Sequence, residues 1–371
     1  MEEIRPEDIG AIVKPEPLKA FCREIFVRLG VPEEDASITA DVLVAADLRG
    51  IFSHGVARMR RYVNGLKSGM MKPRPEVKIV RETAVTATID AGAGLGQPVS
   101  YRAMKLAIKK ALEHGAGFVA VRNSNHYGIA GYYAMMALEH DLIGISSTNA
   151  DVLVVPTFGR KAMLGTNPIS IAVPAGKERP FVLDMATSAV PRGKLEVYDR
   201  LGKKMPLGWA TDEKGLPTDD PGLVLRNLAE RRGGGLLPLG GAGEEMGGHK
   251  GYGLALAVDI FCGVLSGAAY ADLVYPRDEQ GRPLPSNIGH FFGAMRIDAF
   301  RPLDEFKEAM DDLIRRLKES PKAEGQTRIY IHGEKEFEAA ERFAREGIPL
   351  DKKVVADLKA LAQEFGVEFP A

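Results

Sequence analysis

Apolar positions along the chain change their period twice. Up to about Lys72 they recur at helical spacing. Residues 16–29 put Leu18, Phe21, Cys22, Ile25 and Phe26 on one face, and Gly30 stops the helix as its first residue beyond the end. Residues 33–48 open on Glu33-Glu34-Asp35, acids that suit the positive end of a helix dipole, and run to Leu48 before Gly50 breaks the pattern. A further helix carries Arg58, Tyr62 and Leu66. After Pro73 and Pro75 the spacing shortens, and 77–80 and 84–89 read as two strands with a short turn. A helix over 98–114 carries Met104, Ala107, Ile108 and Leu112, and 117–121 reads as a strand. Strand signals recur at 142–146, 169–173 and 181–183. Strands and helices therefore alternate, which is the signature of an α/β domain.

Residues 200–250 read as loop-rich, punctuated by Gly233-Gly234-Gly235 and Gly240-Gly241. A late strand over 291–297, a helix over 303–318, a strand over 328–331 and two amphipathic helices complete the chain. The pattern predicts a helical part over 1–72, an α/β part over 73–300, and a last part over 301–371 that packs back on the first. The stretch 251–271 is almost wholly apolar or small, but Asp259 sits near its centre. A carboxylate there costs roughly 2.5–3.5 kcal/mol on an insertion scale. The stretch is read as a buried helix packed on most sides, not a membrane span.

Composition adds limits. The 371 residues exceed one ordinary domain, and two are expected. Net charge is −1 and the pI near 6.7, so no global field draws the chain to nucleic acid or an anionic membrane. The two cysteines, Cys22 and Cys262, fall in predicted helices and have no metal or framework spacing, which points to a reducing compartment and a cytoplasmic protein. The start, Met1-Glu2-Glu3-Ile4-Arg5-Pro6, lacks the basic-then-apolar order of a leader.

Of 7 histidines, two sit in short polar-glycine breaks: Ser53-His54-Gly55 and Ser124-Asn125-His126-Tyr127-Gly128. Imidazole titrates near neutrality, so a histidine at a cleft edge can move a proton in either direction. If a helix starts near Gly55, His54, Arg58 and Tyr62 lie along one ridge. A base and a guanidinium fork are what oxidation of a 2-hydroxy acid requires. A capped helix start with an exposed arginine would give the same spacing. The second break ends a strand, where open α/β sheets place their sites.

Gly92-Ala93-Gly94-Leu95-Gly96 follows a strand but is not G-x-G-x-x-G, and no acidic strand end stands at the Rossmann distance. No Walker A run and no metal-ligand spacing is present. Gly165-Thr166-Asn167-Pro168 and Val182-Leu183-Asp184-Met185-Ala186-Thr187-Ser188 are further polar breaks beside strands. Gly248-His249-Lys250-Gly251-Tyr252-Gly253 opens a helix, so Lys250 lies where free N–H groups suit an anion.

Taken in order, these breaks resemble those of the type-2 malate/L-lactate dehydrogenases, with the related ureidoglycolate and sulfolactate dehydrogenases, diketogulonate reductase and Δ1-piperideine-2-carboxylate reductase. The matching runs are SHGVARMRRY (53–62), SNHYGIAGYY (124–133), GTNPIS (165–170), VLDMATS (182–188), RGK (192–194), GHKGYGLAL (248–256), GHFFGAMRID (289–298) and HGE (332–334). The resemblance implies an oxidoreductase using NAD or NADP on a small 2-hydroxy acid, built as a homodimer. It implies an α/β fold in which a non-Rossmann cofactor domain with a mixed sheet joins a helical domain made from both chain ends. By position, His54 and His126 are the acid/base candidates, with Ser53 orienting. Arg58 and Tyr62 resemble substrate positions, and Asn125 stands among them in the second break. Asp184, Met185, Ala186, Thr166, Asn167, Lys250, Gly333 and Glu334 resemble cofactor positions. Pro191, His249 and His332 depart from the family's usual residues. A protein that kept the fold and only binds cofactor would carry the same runs.

Overall fold

The computed structural model describes residues 4–370; Met1, Glu2 and Glu3, on which the leader reading partly rests, lie outside them, as does Ala371. In chain order the first elements are β1 (Ile9–Val13), α1 (Pro15–Arg28), α2 (Glu33–Leu48), α3 (Met59–Lys67), β2 (Lys78–Glu82), β3 (Thr86–Asp90), α4 (Gly96–His114), β4 (Ala116–Ser124), α5 (Ala130–Met136), β5 (Leu142–Thr148), β6 (Ile169–Val173) and β7 (Phe181–Met185). Then come α6 (Arg192–Arg200), β8 (Ala210–Thr211), α7 (Pro221–Glu230), β9 (Gly235–Leu236), α8 (Gly248–Asp259), β10 (Ile288–Arg296), α9 (Leu303–Glu319), α10 (Glu334–Glu346), β11 (Ile348–Asp351) and α11 (Lys352–Phe365).

Seven strands form one mixed sheet in the order β2-β3-β4-β10-β5-β6-β7. The β3–β4 pair is parallel and the other pairs are antiparallel. β10 comes from late in the chain and lies at the centre between β4 and β5. Helix α4 lays Val99, Ala103, Met104 and Ala107 on Ile89, Val119, Val121 and Phe292 of the sheet. Each large side chain buried in this way contributes about 1.5–3 kcal/mol.

A second core joins the two ends of the chain. Leu18, Phe26, Leu43, Val63 and Leu66 pack with Phe343, Ile348, Leu358 and Leu361, and β1 pairs antiparallel with β11. Val42, Leu43, Val44, Val355, Leu358 and Leu361 are all buried within the chain. Within 301–371 the packing divides. Only the part from α10 onward enters this core. Helix α9 docks on the sheet side, where Asp311 accepts the N–H groups of Gly176, Lys177 and Glu178.

Several sequence expectations need correction. Residues 328–331 are not a strand: β7 gains only one bond there, from Val182 N–H to the His332 carbonyl. Tyr330 is instead held between the Arg328 and Lys335 cations, at 4.4 and 4.3 Å from its ring centre. The loop-rich stretch 200–250 carries α7 and part of a third core, in which Met205, Val224 and Leu236 meet Leu195 and Ala255. Its glycines hid those elements from pattern reading. The apolar helix at 251–271 is shorter and less buried than its composition suggests. It ends at Asp259, a π turn covers Ile260–Val264, and Phe261 and Val264 stay 47% and 58% exposed. Among the described residues no helix is long and apolar enough to cross a membrane. The helix expected from Gly55 starts only at Met59, after two 3₁₀ turns.

Candidate active site

The first histidine is carried on the link between α2 and α3. Gly50, at φ +71°, ends α2 in the left-handed region, and the chain folds into 3₁₀ turns at Phe52–His54 and Val56–Arg58. Asp47 anchors the link from below. It is 1% exposed, and its Oδ2 accepts the Val56 N–H at 2.8 Å. Burial pushes its carboxyl up to about 8. Gly55 lies directly over that carboxyl, where a Cβ would stand 1.9 Å from Oδ1. Ser53 Oγ meets His54 Nδ1 at 2.9 Å, and the Arg58 Nε–H donates to the Ser53 carbonyl at 2.6 Å. His54 therefore has one ring nitrogen engaged and Nε2 available.

The second histidine follows the end of β4. Ser124 donates to, or accepts from, Nε2 of the wholly buried His290 at 2.8 Å. Nδ1 of His290 meets Thr148 Oγ1 at 2.7 Å, and its ring stacks on Tyr127 at 4.6 Å. This buried imidazole ties β4, β10 and β5 together under the break. Burial pushes its pKa down to about 3, so it stays neutral. Asn125, expected among the substrate positions, spends its amide within the protein. Its Nδ2 donates to the Gly94 carbonyl at 2.8 Å and its Oδ1 accepts the Ser286 hydroxyl at 2.6 Å. It holds the Gly92–Gly96 turn, and Gly96 packs so closely that a Cβ would lie 2.2 Å from the Asn125 carbonyl.

His126 meets the first arm. Its Nδ1 lies 2.6 Å from the Tyr62 hydroxyl, and the His54 and His126 rings stack at 5.7 Å with 23° between planes. Gly128 N–H also points at His126 Nδ1, from 3.4 Å. An N–H can only donate, so Nδ1 is the acceptor and Nε2 carries the proton of the neutral ring. Burial, then the Arg58 and Arg61 charges, lower His54 to about 4. Burial, then Arg61, His54 and Arg58, hold His126 well below its ordinary value. The ridge expected from spacing is thus real in part: Tyr62 is used, but by the other histidine.

A cavity of about 270 Å³ opens between segments that flank the two breaks, without either histidine in its lining. Its walls come from three places: Arg49 and Ile51 after α2, Ile129 and Gly131 at α5 with Asp184 of β7, and the 330–336 segment. Ile51 and Ile129 are each three residues from a paired histidine, so the cavity lies within about 11 Å of chain from either. The Asp184 carboxylate is open to the cavity and accepts the Gly131 N–H at 2.7 Å, and the crowding of protein around it raises it to about 6. Gly333, at φ +93°, precedes α10, and no side chain caps that helix. The first-turn residues Lys335 and Glu336 line the cavity.

Of the expected cofactor positions, Asp184 and Gly333 reach this cavity. Glu334 does not: it binds Lys318 at 2.6 Å and Arg328 at 3.2 Å. Asn167 donates to the Ala255 carbonyl at 3.0 Å, and the Thr166 carbonyl accepts from Thr187, so both brace the neighbouring loops. Met185 and Ala186 continue β7 outside the cavity lining, and Lys250 is exposed at the start of α8. Sequence reading missed Arg49, Asp47, Arg61, Tyr275 and His290. Arg61 stood inside the quoted run, one helical turn past Arg58, and spacing alone could have raised it. Tyr275, whose hydroxyl accepts from Arg61, is 214 residues away and carries no local signal.

A sequence model of the malate/L-lactate dehydrogenase family matches residues 13–359. A malate dehydrogenase from Pyrococcus horikoshii is 51% identical over 356 residues, covering 96% of each chain. An L-sulfolactate dehydrogenase from Methanocaldococcus jannaschii is 42% identical over 359 residues, covering 96% of this chain and 98% of that one. The crystal structure of malate dehydrogenase from Entamoeba histolytica superposes with a TM-score of 0.92 at 38% identity, over 97% of this chain and 99% of that chain.

Proposed function

The chain belongs to the malate/L-lactate dehydrogenase family, an oxidoreductase family acting on CH–OH groups, and from that premise we propose that it interconverts malate and oxaloacetate. Lactate in place of malate, or ureidoglycolate, sulfolactate or a cyclic imine, are the alternative substrates within the same chemistry. The observation that carries the reading is the stacked His54–His126 pair with two guanidiniums beside it. The Arg58 fork takes the C1 carboxylate, and Ser53, whose carbonyl holds that guanidinium, orients His54. His126 donates its Nε2–H to the oxygen on C2, with Tyr62 fixing the ring from the other side, and in oxidation the hydroxyl proton passes to the open Nε2 of His54, whose Nδ1 faces Ser53. A bound carboxylate cancels the cations that depress both rings. Both pKa values then rise from their free-site positions, although burial, the larger cause, still holds them below the ordinary value.

The cofactor is NAD or NADP, which supplies hydride transfer to or from C2 when bound. The cavity near the two breaks suits part of such a group. Arg49 and Lys335 are cations, the uncapped first turn of α10 offers N–H groups to a pyrophosphate, and Asp184 can accept from a ribose hydroxyl. At about 270 Å³ the cavity is just below the usual ~300–1,000 Å³ of a small-molecule site, so it holds one part of a dinucleotide. Thr166, Asn167, Met185, Ala186, Lys250 and Glu334 then shape the loops around it. We assign this role to a non-Rossmann domain over 73–300, completed by a helical domain from 1–72 and 301–371. A homodimer is part of the proposal, as are cytoplasmic location and the absence of nucleic-acid or membrane partners. The unpaired, buried Cys22 and Cys262 agree with a reducing compartment.

The test is NADH and NADPH oxidation with oxaloacetate, pyruvate and other 2-oxo acids, in a full cross. Turnover of oxaloacetate with one of the cofactors is expected. Quenching and energy transfer on NADH binding, with no turnover of any acid, would replace the reading with a cofactor-binding protein.

A further inference from the structure

The start of α3 and the residue just before it carry three arginines, Arg58, Arg60 and Arg61, and they are treated differently. Arg60 turns to α11, where it pairs with Asp357 at 2.8 Å and Glu364 at 3.0 Å. Arg58 turns to the Ser53 carbonyl and Arg61 to the Tyr275 hydroxyl, and both charges act on His54 and His126. Neither arginine has a carboxylate within 4.0 Å among the described residues. Glu196 acts on Arg58 through space, but it is already bonded to Arg192 at 3.0 Å. Asp151 acts on Arg61 through space, but its Oδ1 accepts the Val152 N–H.

Arg61 is held by a neutral group instead. It donates to the Tyr275 hydroxyl, and its guanidinium carbon lies 5.5 Å from the centre of that ring. Burial raises the Tyr275 phenol, so it brings no negative charge. Tyr275 sits at φ +56°, a conformation that a bulky residue seldom adopts. Such outliers persist where the surroundings over-determine them, which is common at binding sites. The result is two guanidiniums without a carboxylate partner, acting on two neutral imidazoles.

One bound carboxylate would answer only Arg58. This step rests on the reading of the site as that of a 2-hydroxy acid oxidoreductase. We propose that Arg61 is the specificity-determining residue for the second negative charge of the substrate, so that the site selects a dianionic acid, with a carboxylate or sulfonate at the far end, over a monoanionic one. Arg58 has its Nε on the Ser53 carbonyl and keeps its terminal nitrogens for C1. Arg61 has one terminal nitrogen on Tyr275 and keeps its Nε edge for the distal group. Arg58 and Arg61 are three residues apart in the chain and both charges act on the same two rings, so one short diacid can meet both.

The experiment compares kcat/KM for oxaloacetate, its C4 monomethyl ester and pyruvate in the full-length protein. In the wild type oxaloacetate should exceed both monoanions. Arg61→Gln should lower kcat/KM for oxaloacetate by roughly 100-fold, chiefly through KM, and for pyruvate and the ester by far less, because truncating one partner of a desolvated charge pair costs that much. Arg61→Lys keeps the charge without the fork. It should lose about 10-fold on oxaloacetate alone, and it reads the same discrimination if the glutamine variant does not fold. Tyr275→Phe should retain the preference for the dianion. Equal losses on all three acids, or an unchanged oxaloacetate-to-ester ratio in both Arg61 variants, would overturn the assignment. Wild-type turnover of pyruvate and oxaloacetate at equal efficiency would also overturn it while leaving the dehydrogenase reading intact. Failure of the wild type on every 2-oxo acid would instead strike the dehydrogenase reading.

Discussion

Gly55→Ala tests the idea that the first histidine is placed by a steric fit against a buried acid. An alanine Cβ at 55 would stand 1.9 Å from Asp47 Oδ1, 2.1 Å from Cγ and 2.3 Å from Oδ2, whereas ordinary contact begins near 3.4 Å. Either the carboxyl or the link must move by roughly 1.5 Å. Asp47 is buried and cannot swing into solvent, and leaving it breaks the 2.8 Å bond from Val56. Losing that buried bond costs about 1–3 kcal/mol, and the overpacking about 1–3 kcal/mol more. At roughly 2.1 cal/mol/K of unfolding entropy per residue, 371 residues give about 0.8 kcal/mol/K, so the melting temperature should fall by roughly 3–8 °C. His54 is the adjacent residue, and a displacement of about 1 Å at a reacting group costs about 10²-fold. Calorimetry and kcat at saturating substrate measure the two effects. Gly253→Ala is the matched control. It lies inside α8 with nothing within 4 Å of a Cβ, and should be neutral or stabilising by about 0.4–1 kcal/mol. Unchanged melting and unchanged kcat in Gly55→Ala would refute the placement by Asp47.

His54→Ala and His126→Ala should each lower kcat by about 10²-fold or more, the scale of a lost general acid/base; near-normal kcat in either would remove that residue from the chemistry. Because the free rings are held low, His54 to about 4, the acid limb of kcat/KM for hydroxy-acid oxidation should lie well below 6.5, while the limb of kcat moves up once substrate cancels the arginines; coincident limbs at 6.5 would contradict this. Asp47 is protonated in the folded state up to about 8 and ionises near 3.8 when unfolded, so the unfolded chain binds fewer protons between those values and stability falls as pH rises through them. The depressed histidines act oppositely, gaining stability as pH rises, but only up to about 6.5. From roughly pH 7 to 9 the urea midpoint should therefore drop in the wild type and flatten in Asp47→Asn; parallel curves would exclude Asp47 as the cause. Sedimentation equilibrium should give a dimer at micromolar concentration, and a fully active species at the 40.2 kDa monomer mass would rule that out.

The alternation of strands and helices was legible in the sequence because each of these elements buries one face, and a buried face writes its period into the apolar positions. The two histidine breaks were legible for the same reason, as polar interruptions of that period. Motif order also carried the family. What lay outside the sequence were the partners across the chain. Nothing near Asn125 says that its amide is spent on Gly94 and Ser286, and nothing near Arg61 names Tyr275. The apolar stretch after Gly251 shows why composition alone misleads: hydrophobicity states a preference for burial, but only packing decides which side is covered. Pairing of β1 with β11, insertion of β10 at the sheet's centre and the stacking of His54 on His126 each join residues far apart in the chain. Such contacts depend on loop closure and three-dimensional fit, which local periodicity does not encode, and it is they that turn two polar breaks into one site.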